Sequence, residues 1–261
     1  MDLQLKGKNA VVLAGSQGLG EAIVEGFVKE GTNVIIASRS EDKLAQMCKE
    51  LTKKGESRVL YQKTDITKPE DIEALLERVK AEFGSLDILI NNSGGPKAGT
   101  LNELTDEDFY NAFELNLLSY VRSIRAFFPL LKENGGKIIN IASSSIKEPI
   151  EGLLLSNIFR TGIVGLTKTI AGEFAPYNIL VNTVAPGRIA TARVEHLDEV
   201  RAEKQGKSIE QVAQEAKAGI PLGRYGEPRE FANVVLFLSS DANTYMTGSS
   251  FLVDGGSVKS I

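Results

Sequence analysis

The sequence predicts one α/β domain built on a parallel sheet of seven strands with helices on both faces. Three observations predict it. Short runs rich in Val, Ile and Leu alternate with longer stretches whose apolar residues recur at helical spacing. The short runs are apolar nearly throughout, as strands buried on both faces should be. A glycine-rich turn at 14–20 follows the first run and opens the first helical stretch.

Taken in order, strands are expected at 9–14, 33–38, 58–64, 86–91, 137–142, 180–184 and 250–253. Helices are expected at 18–30, 41–53, 69–83, 106–131, 153–175 and 228–239. Thr67 precedes Pro69, a first-turn proline, and Thr105 precedes Asp106, Glu107 and Asp108, which suit the positive end of a helix. No repeat, low-complexity segment or Pro/Gly linker interrupts the alternation, so 1–261 reads as a single domain. One stretch breaks the rhythm. Residues 190–219 are charged and helical in spacing, and they leave the carboxyl end of the sixth strand. Ligands of open α/β sheets sit beyond the strands' carboxyl ends, so this segment is placed to act as a lid over a substrate. A surface excursion is the other reading.

Composition narrows the function classes. The 261 residues are 42% apolar and 25% charged, ordinary for a globular chain. A net charge of −4 argues against a nucleic-acid binder. The lone Cys48 excludes an internal disulfide framework, and the lone His196 excludes a histidine-rich metal site. The N-terminus has no apolar signal core, and the longest apolar runs are too short to cross a bilayer. The expectation is a cytoplasmic protein with no metal and no membrane.

The turn Gly15-Ser16-Gln17-Gly18-Leu19-Gly20 suits a dinucleotide. Its glycines permit a tight turn and close backbone approach, and the following helix offers free N–H groups to a pyrophosphate. After the second strand comes Ser38-Arg39. No carboxylate stands there to accept from a ribose hydroxyl, whereas the Arg39 fork suits a 2′-phosphate. NADP is therefore favoured, with NAD as the alternative.

Further along, ordered motifs carry a resemblance. They are Asp65-Ile66, Asn91-Asn92-Ser93-Gly94, Asn116 in FELNLLSYV, Asn182 to Thr191 with Pro186, Gly187 and Ile189, the Pro221–Pro228 turn, and Val253-Asp254-Gly255-Gly256. Together they resemble the short-chain dehydrogenase/reductase family over nearly the whole chain, and its β-ketoacyl-carrier-protein reductase-like members most. The resemblance implies a doubly wound Rossmann fold. It implies contacts to the adenine from Asp65 and Ile66, to the cofactor from Asn92, Ser93 and Gly94, and to its nicotinamide end from Pro186, Gly187 and Ile189. It also implies a small-molecule or acyl-carrier substrate and a homotetramer or homodimer.

The family's catalytic set is Asn, Ser, Tyr and Lys. Asn116 and Ser143 match the first two, and the Tyr is expected thirteen residues after the Ser. That position is Ser156, and the Lys position is Arg160; counting back from Gly165-Leu166-Thr167-Lys168 gives the same register. Serine is a far weaker acid than tyrosine and a shorter one. Arg160 keeps the charge and could hold ribose hydroxyls, but it does not release a proton. In the glycine turn, Ala14 stands where the family has Gly. The tyrosines 110, 120, 177 and 225 read as packing, and Glu148, Glu151 and Lys147 as loop residues within reach of the site. Two functions follow: an NAD(P)-dependent oxidoreductase with an atypical proton donor, or a dinucleotide-binding homologue with weak catalysis that serves as sensor, scaffold or partner subunit.

Overall fold

The strands form first by composition: β1 (Asn9–Leu13), β2 (Asn33–Ser38), β3 (Val59–Lys63), β4 (Ile88–Asn91), β5 (Gly136–Ile141), β6 (Ile179–Pro186) and β7 (Ser250–Val253). They pair in parallel in the order β3-β2-β1-β4-β5-β6-β7. The computed structural model describes residues 2–53 and 55–260. Successive strand residues feed opposite faces, as the pleat requires. Ala10 and Val12 join the core beneath α1 (Gly18–Lys29), α2 (Glu41–Leu51) and α9 (Pro228–Ser239). Val11 and Leu13 join the core beneath α3 (Pro69–Phe83), α5 (Ser119–Asn134) and α6 (Leu154–Phe174). The result is a doubly wound Rossmann fold. Its strand order reverses between β1 and β4, where a crevice opens at the carboxyl edge.

One expectation needs correction. The helix expected at 106–131 is broken: α4 (Asp106–Phe113) passes into a π-turn, Glu114–Leu118, before α5 begins. The wider turn re-aims its residues, and Asn116 sits in it. Pro69 opens α3 as expected, with Lys68 at the N-cap, and the Thr67 hydroxyl donates to Asp65 Oδ1 at 2.8 Å. Thr105 does cap α4, with Asp108 completing a capping box.

Residues 190–219 form α7 (Ala192–Gln205) and α8 (Ile209–Ala218). A buried carboxylate anchors them. Asp198 of α7 is 2% exposed and receives hydrogen bonds from Arg188 Nη1 and, at 2.6 Å, from the Tyr225 hydroxyl. Lys217 of α8 lies 5.3 Å from the Tyr225 ring centroid. The segment is thereby tied to the backbone leaving β6 and to the turn before α9.

Burial, and then the hydrogen bond to the Asp198 carboxylate, push the Tyr225 phenol up to about 12. The raised value means that this contribution to stability is complete below pH ~10 and is lost as pH rises through ~12. The alkaline fall in melting temperature should therefore be steeper between those values for the wild type than for Tyr225→Phe. Parallel scans for the two proteins would remove this role from Tyr225.

Candidate active site

The site grows from the end of β1. The chain turns at Ala14, which takes φ +48°, a left-handed conformation that strains a residue with a side chain. A Cβ on Gly15 would fall 2.7 Å from Ile36 Cγ2, and one on Gly20 would fall 2.3 Å from Ala14 O. Those two glycines therefore let α1 close onto the strand. Gly18 takes φ +60°. The turn faces a cavity of about 430 Å³, within the range of small-molecule sites.

At one end of the cavity, Ser16 and Ser38 share a hydrogen bond of 2.7 Å, and Arg39 lies beside them. Lys43 Nζ donates to Gln17 Oε1 at 2.7 Å, which brings a second cation over the turn. Asp65 and Ile66 complete that end. Burial pushes the Asp65 carboxyl up. Two hydrogen bonds from Thr67 and the charges of Arg39 and Lys68 outweigh it, so the carboxyl ends below its ordinary value.

The other end is built by β4, β5 and α6. Beneath it runs a buried polar ladder: Asn91 donates to Asn140 at 2.8 Å, and Asn140 donates to Thr167 at 2.9 Å. Asn92 Nδ2 donates to Ala14 O at 3.3 Å and ties the two lips of the crevice. Asn116 is fully buried and does not line the cavity. Its Nδ2 donates to Ser93 Oγ at 2.9 Å and to Gly94 O at 2.7 Å, while its Oδ1 has no partner among the described residues.

Arg160 is 4% exposed. Its Nη1 donates to the Tyr120 hydroxyl at 2.8 Å and to Ile141 O at 2.9 Å. Its Nη2 donates to Ser93 O at 3.4 Å and to Gly94 O at 3.3 Å. All the Nη hydrogens are directed at protein acceptors, so the guanidinium is a staple of the site's wall first. Only Nε–H is left uncommitted for a ribose hydroxyl among the described residues.

Ser143 lines the cavity, and its Oγ accepts from Ser145 N at 3.2 Å, which leaves the hydroxyl proton free to donate. Ser156 also lines the cavity, and its Oγ stands 3.4 Å from that of Ser145. Of the residues expected to bind cofactor, Ser16, Gln17, Gly18, Leu19, Ser38, Arg39, Asp65, Ile66, Asn92, Ser93, Gly94, Arg160, Pro186, Gly187 and Ile189 all line this one cavity. Gly15 and Gly20 support it from behind.

The other tyrosines and the loop residues 147, 148 and 151 do not line the cavity. Tyr120 is fully buried and donates to Ile141 O at 2.8 Å. Tyr225 is held by Asp198, Tyr177 packs edge-on against Phe128, and Tyr110 is exposed. Lys147, Glu148 and Glu151 lie outside the lining; Glu148 accepts from Lys259 N at 3.2 Å.

Sequence reasoning missed Lys43 and Arg193, both on the cavity wall, whereas Thr191, in the 182–191 motif, does line it. It also read Tyr120 as packing only. Arg193 could have been found from its place two residues after Thr191, in the first turn of α7.

Comparisons with known proteins bear on the family and the fold. Residues 13–258 match the family described as Enoyl-(Acyl carrier protein) reductase. The chain is 32% identical to the uncharacterized oxidoreductase YvrD of Bacillus subtilis, covering 100% of both. It is 34% identical to the 3-oxoacyl-[acyl-carrier-protein] reductase FabG of Vibrio cholerae, over 97% of this chain and 98% of that one. The crystal structure of L-sorbose reductase from Gluconobacter frateurii, complexed with NADPH and L-sorbose, superposes with a TM-score of 0.95 at 34% identity, covering 100% of both chains.

Two substitutions test the geometry. Arg160→Met removes the donor to Ser93 O and one donor each from Gly94 O, Ile141 O and the Tyr120 hydroxyl, which keep their bonds to Asn116 and to each other, and should cost about 2 kcal/mol in urea unfolding. Ala14→Gly relieves the left-handed turn against a more flexible unfolded chain, so it should stabilise by up to about 1 kcal/mol. A loss of stability in Ala14→Gly would mean that the turn is not strained.

Proposed function

The chain belongs to the short-chain dehydrogenase/reductase family, and we propose that it is an NADP(H)-dependent oxidoreductase interconverting a carbonyl and an alcohol. One observation carries the reading: a single cavity runs from the glycine turn and Arg39 to Ser143.

The residues fit the cofactor. The α1 N-terminus offers backbone N–H groups to a pyrophosphate, and Ser16, Ser38, Arg39 and Lys43 offer donors and charge to a 2′-phosphate. A Cβ added at Gly94 would meet nothing within 4 Å, so a ligand can approach that backbone closely. Asn92, Gly94, Pro186, Gly187 and Ile189 would hold the nicotinamide half, and α7–α8 would cover it as a lid. The bound nicotinamide supplies hydride chemistry. The relatives' names favour turnover over the binding-only alternative: FabG is a reductase, and the sorbose enzyme was solved with NADPH.

Ser143 is the residue for orienting the substrate oxygen, since its hydroxyl is fixed and keeps its proton. Ser156 cannot reach as far as a tyrosine and is a much weaker acid. In this reading the proton arrives through the hydroxyls of Ser143, Ser145 and Ser156 or through water. Arg160 supplies fixed positive charge behind them, which favours a developing alkoxide in a low-dielectric site. The substrate is a small molecule or an acyl-carrier thioester. The exposed apolar residues Tyr110, Phe113 and Ile158 on α4 and α6 suit a homodimer or homotetramer contact.

Calorimetry should show NADPH binding at least about tenfold tighter than NADH, because one charge-assisted fork is worth that much, and Arg39→Ala should erase the difference. NADPH oxidation should be seen with members of a carbonyl panel, and Ser143→Ala should lower kcat by about a hundredfold or more. Binding without turnover would leave a binding protein; absence of binding by either nucleotide would end the oxidoreductase reading.

A further inference from the structure

The cavity has charge at both ends, and only one end has a counterion. Its lining holds the cations Arg39, Lys43, Arg160 and Arg193, with Asp65 as the lone carboxylate. Asp65 belongs to the β3 end and is held there by Thr67. Arg160 and Arg193 stand at the β4–β5 end, with Ser143, Ser156, Leu115 and Leu153 on the same wall.

Arg193 is held in a specific place. It projects from the first turn of α7, and its Nη2 donates to Pro96 O at 2.8 Å. The guanidinium lies against Gly95: a Cβ there would fall 2.8 Å from Nε and 3.0 Å from Cζ. The missing side chain at 95 is what makes room for it. That one bond leaves most of the fork's N–H groups without a partner, and no carboxylate forms an ion pair with Arg193 or Arg160 among the described residues. Burial, and then the charge of Arg160, pull the Arg193 guanidinium below its ordinary value. It stays protonated, so the two cations repel across a partly dry space. An anion between the fork and the catalytic wall would remove that repulsion and use the free donors.

We propose that the substrate is an oxo acid or its hydroxy-acid product, whose carboxylate is received by Arg193 while Ser143 takes the carbonyl oxygen. The proposal deepens the oxidoreductase reading and rests on it for the reaction. The carboxylate site itself stands on the guanidinium geometry. A planar fork with open N–H groups matches a carboxylate with two parallel bonds. Leu115 and Leu153 leave apolar room for a short carbon chain. The phosphates of the cofactor are the competing source of negative charge, and the test separates the two.

The full-length protein is saturated with NADP⁺, in which an oxo acid cannot be reduced. Calorimetry then compares 2-oxobutanoate and 3-oxobutanoate with their methyl esters. At least one acid should bind about tenfold or more tightly than its ester, the gain of one charge-assisted fork. Arg193→Gln should erase that preference and leave the Kd for NADPH within about twofold, a change below the loss of a single hydrogen bond. Gly95→Ala, which keeps the charge and moves the fork, should reduce the preference as well. Equal affinity for acids and esters would overturn the proposal. So would a weakened NADPH affinity in Arg193→Gln with the acid preference intact, since Arg193 would then serve the cofactor. Because binding is read without turnover, an acid preference in a protein that reduces nothing would sink the redox reading and keep only the carboxylate site at Arg193.

Discussion

Arg160 is the group on which the carboxyl edge of the sheet depends. It rises from α6 and reaches the last carbonyl of β5, two carbonyls beyond β4, and the hydroxyl of Tyr120 on α5. A cation at 4% exposure survives only with such acceptors around it. The same bonds settle where the Ser93–Gly94 turn lies. Asn116 grips that turn from the opposite side, through Ser93 Oγ and Gly94 O. Two side chains, one of them outside the cavity, thus set the shape of its inner wall.

The charges are sorted around this wall. Asp198, the buried acid of α7, is turned away from the cavity and spent on Arg188 and Tyr225. Arg193, five residues earlier on the same helix, is turned into it. One helix therefore anchors by its carboxylate and presents its guanidinium to the ligand space. Under the proposed carboxylate site, substrate recognition would depend on the position of α7.

Much of this was legible in the sequence. The strands were, because burial on both faces leaves runs such as Ala10–Leu13 with no polar residue to confuse their period. The cavity lining was, because glycines, Asp65, Asn92 and Pro186 stand at strand ends, where topology gathers them. Directions of side chains were not. Position 160 is fixed by register, yet its partner Tyr120 lies 40 residues away, and nothing local announces the bond. The π-turn at Glu114–Leu118 was equally silent, since one wider turn leaves the apolar spacing of 106–131 almost unchanged. Arg193 hid in a polar segment whose charges mostly face solvent.

Ser156 and Arg160 have to be understood as a pair. A lysine at 160 would carry three hydrogens on a rotating head and could turn them to a ribose and a neighbouring phenol together. The arginine fork is planar, and its Nη hydrogens are already directed into the wall. Its charge still reaches the cavity, while its donors largely do not. A tyrosine at 156 works as an acid because a nearby cation brings its pKa toward the working pH; the same cation moves a serine hydroxyl from a value too far away to matter. Under the proposed reduction, the cation then acts on the substrate's own developing negative charge instead of on a protein acid. Hydride acceptance would be favoured by the fixed field, and the proton would follow from hydroxyls or water. Such a site suits carbonyls already activated by a neighbouring electron-withdrawing group, for which the strength of the protein acid matters least.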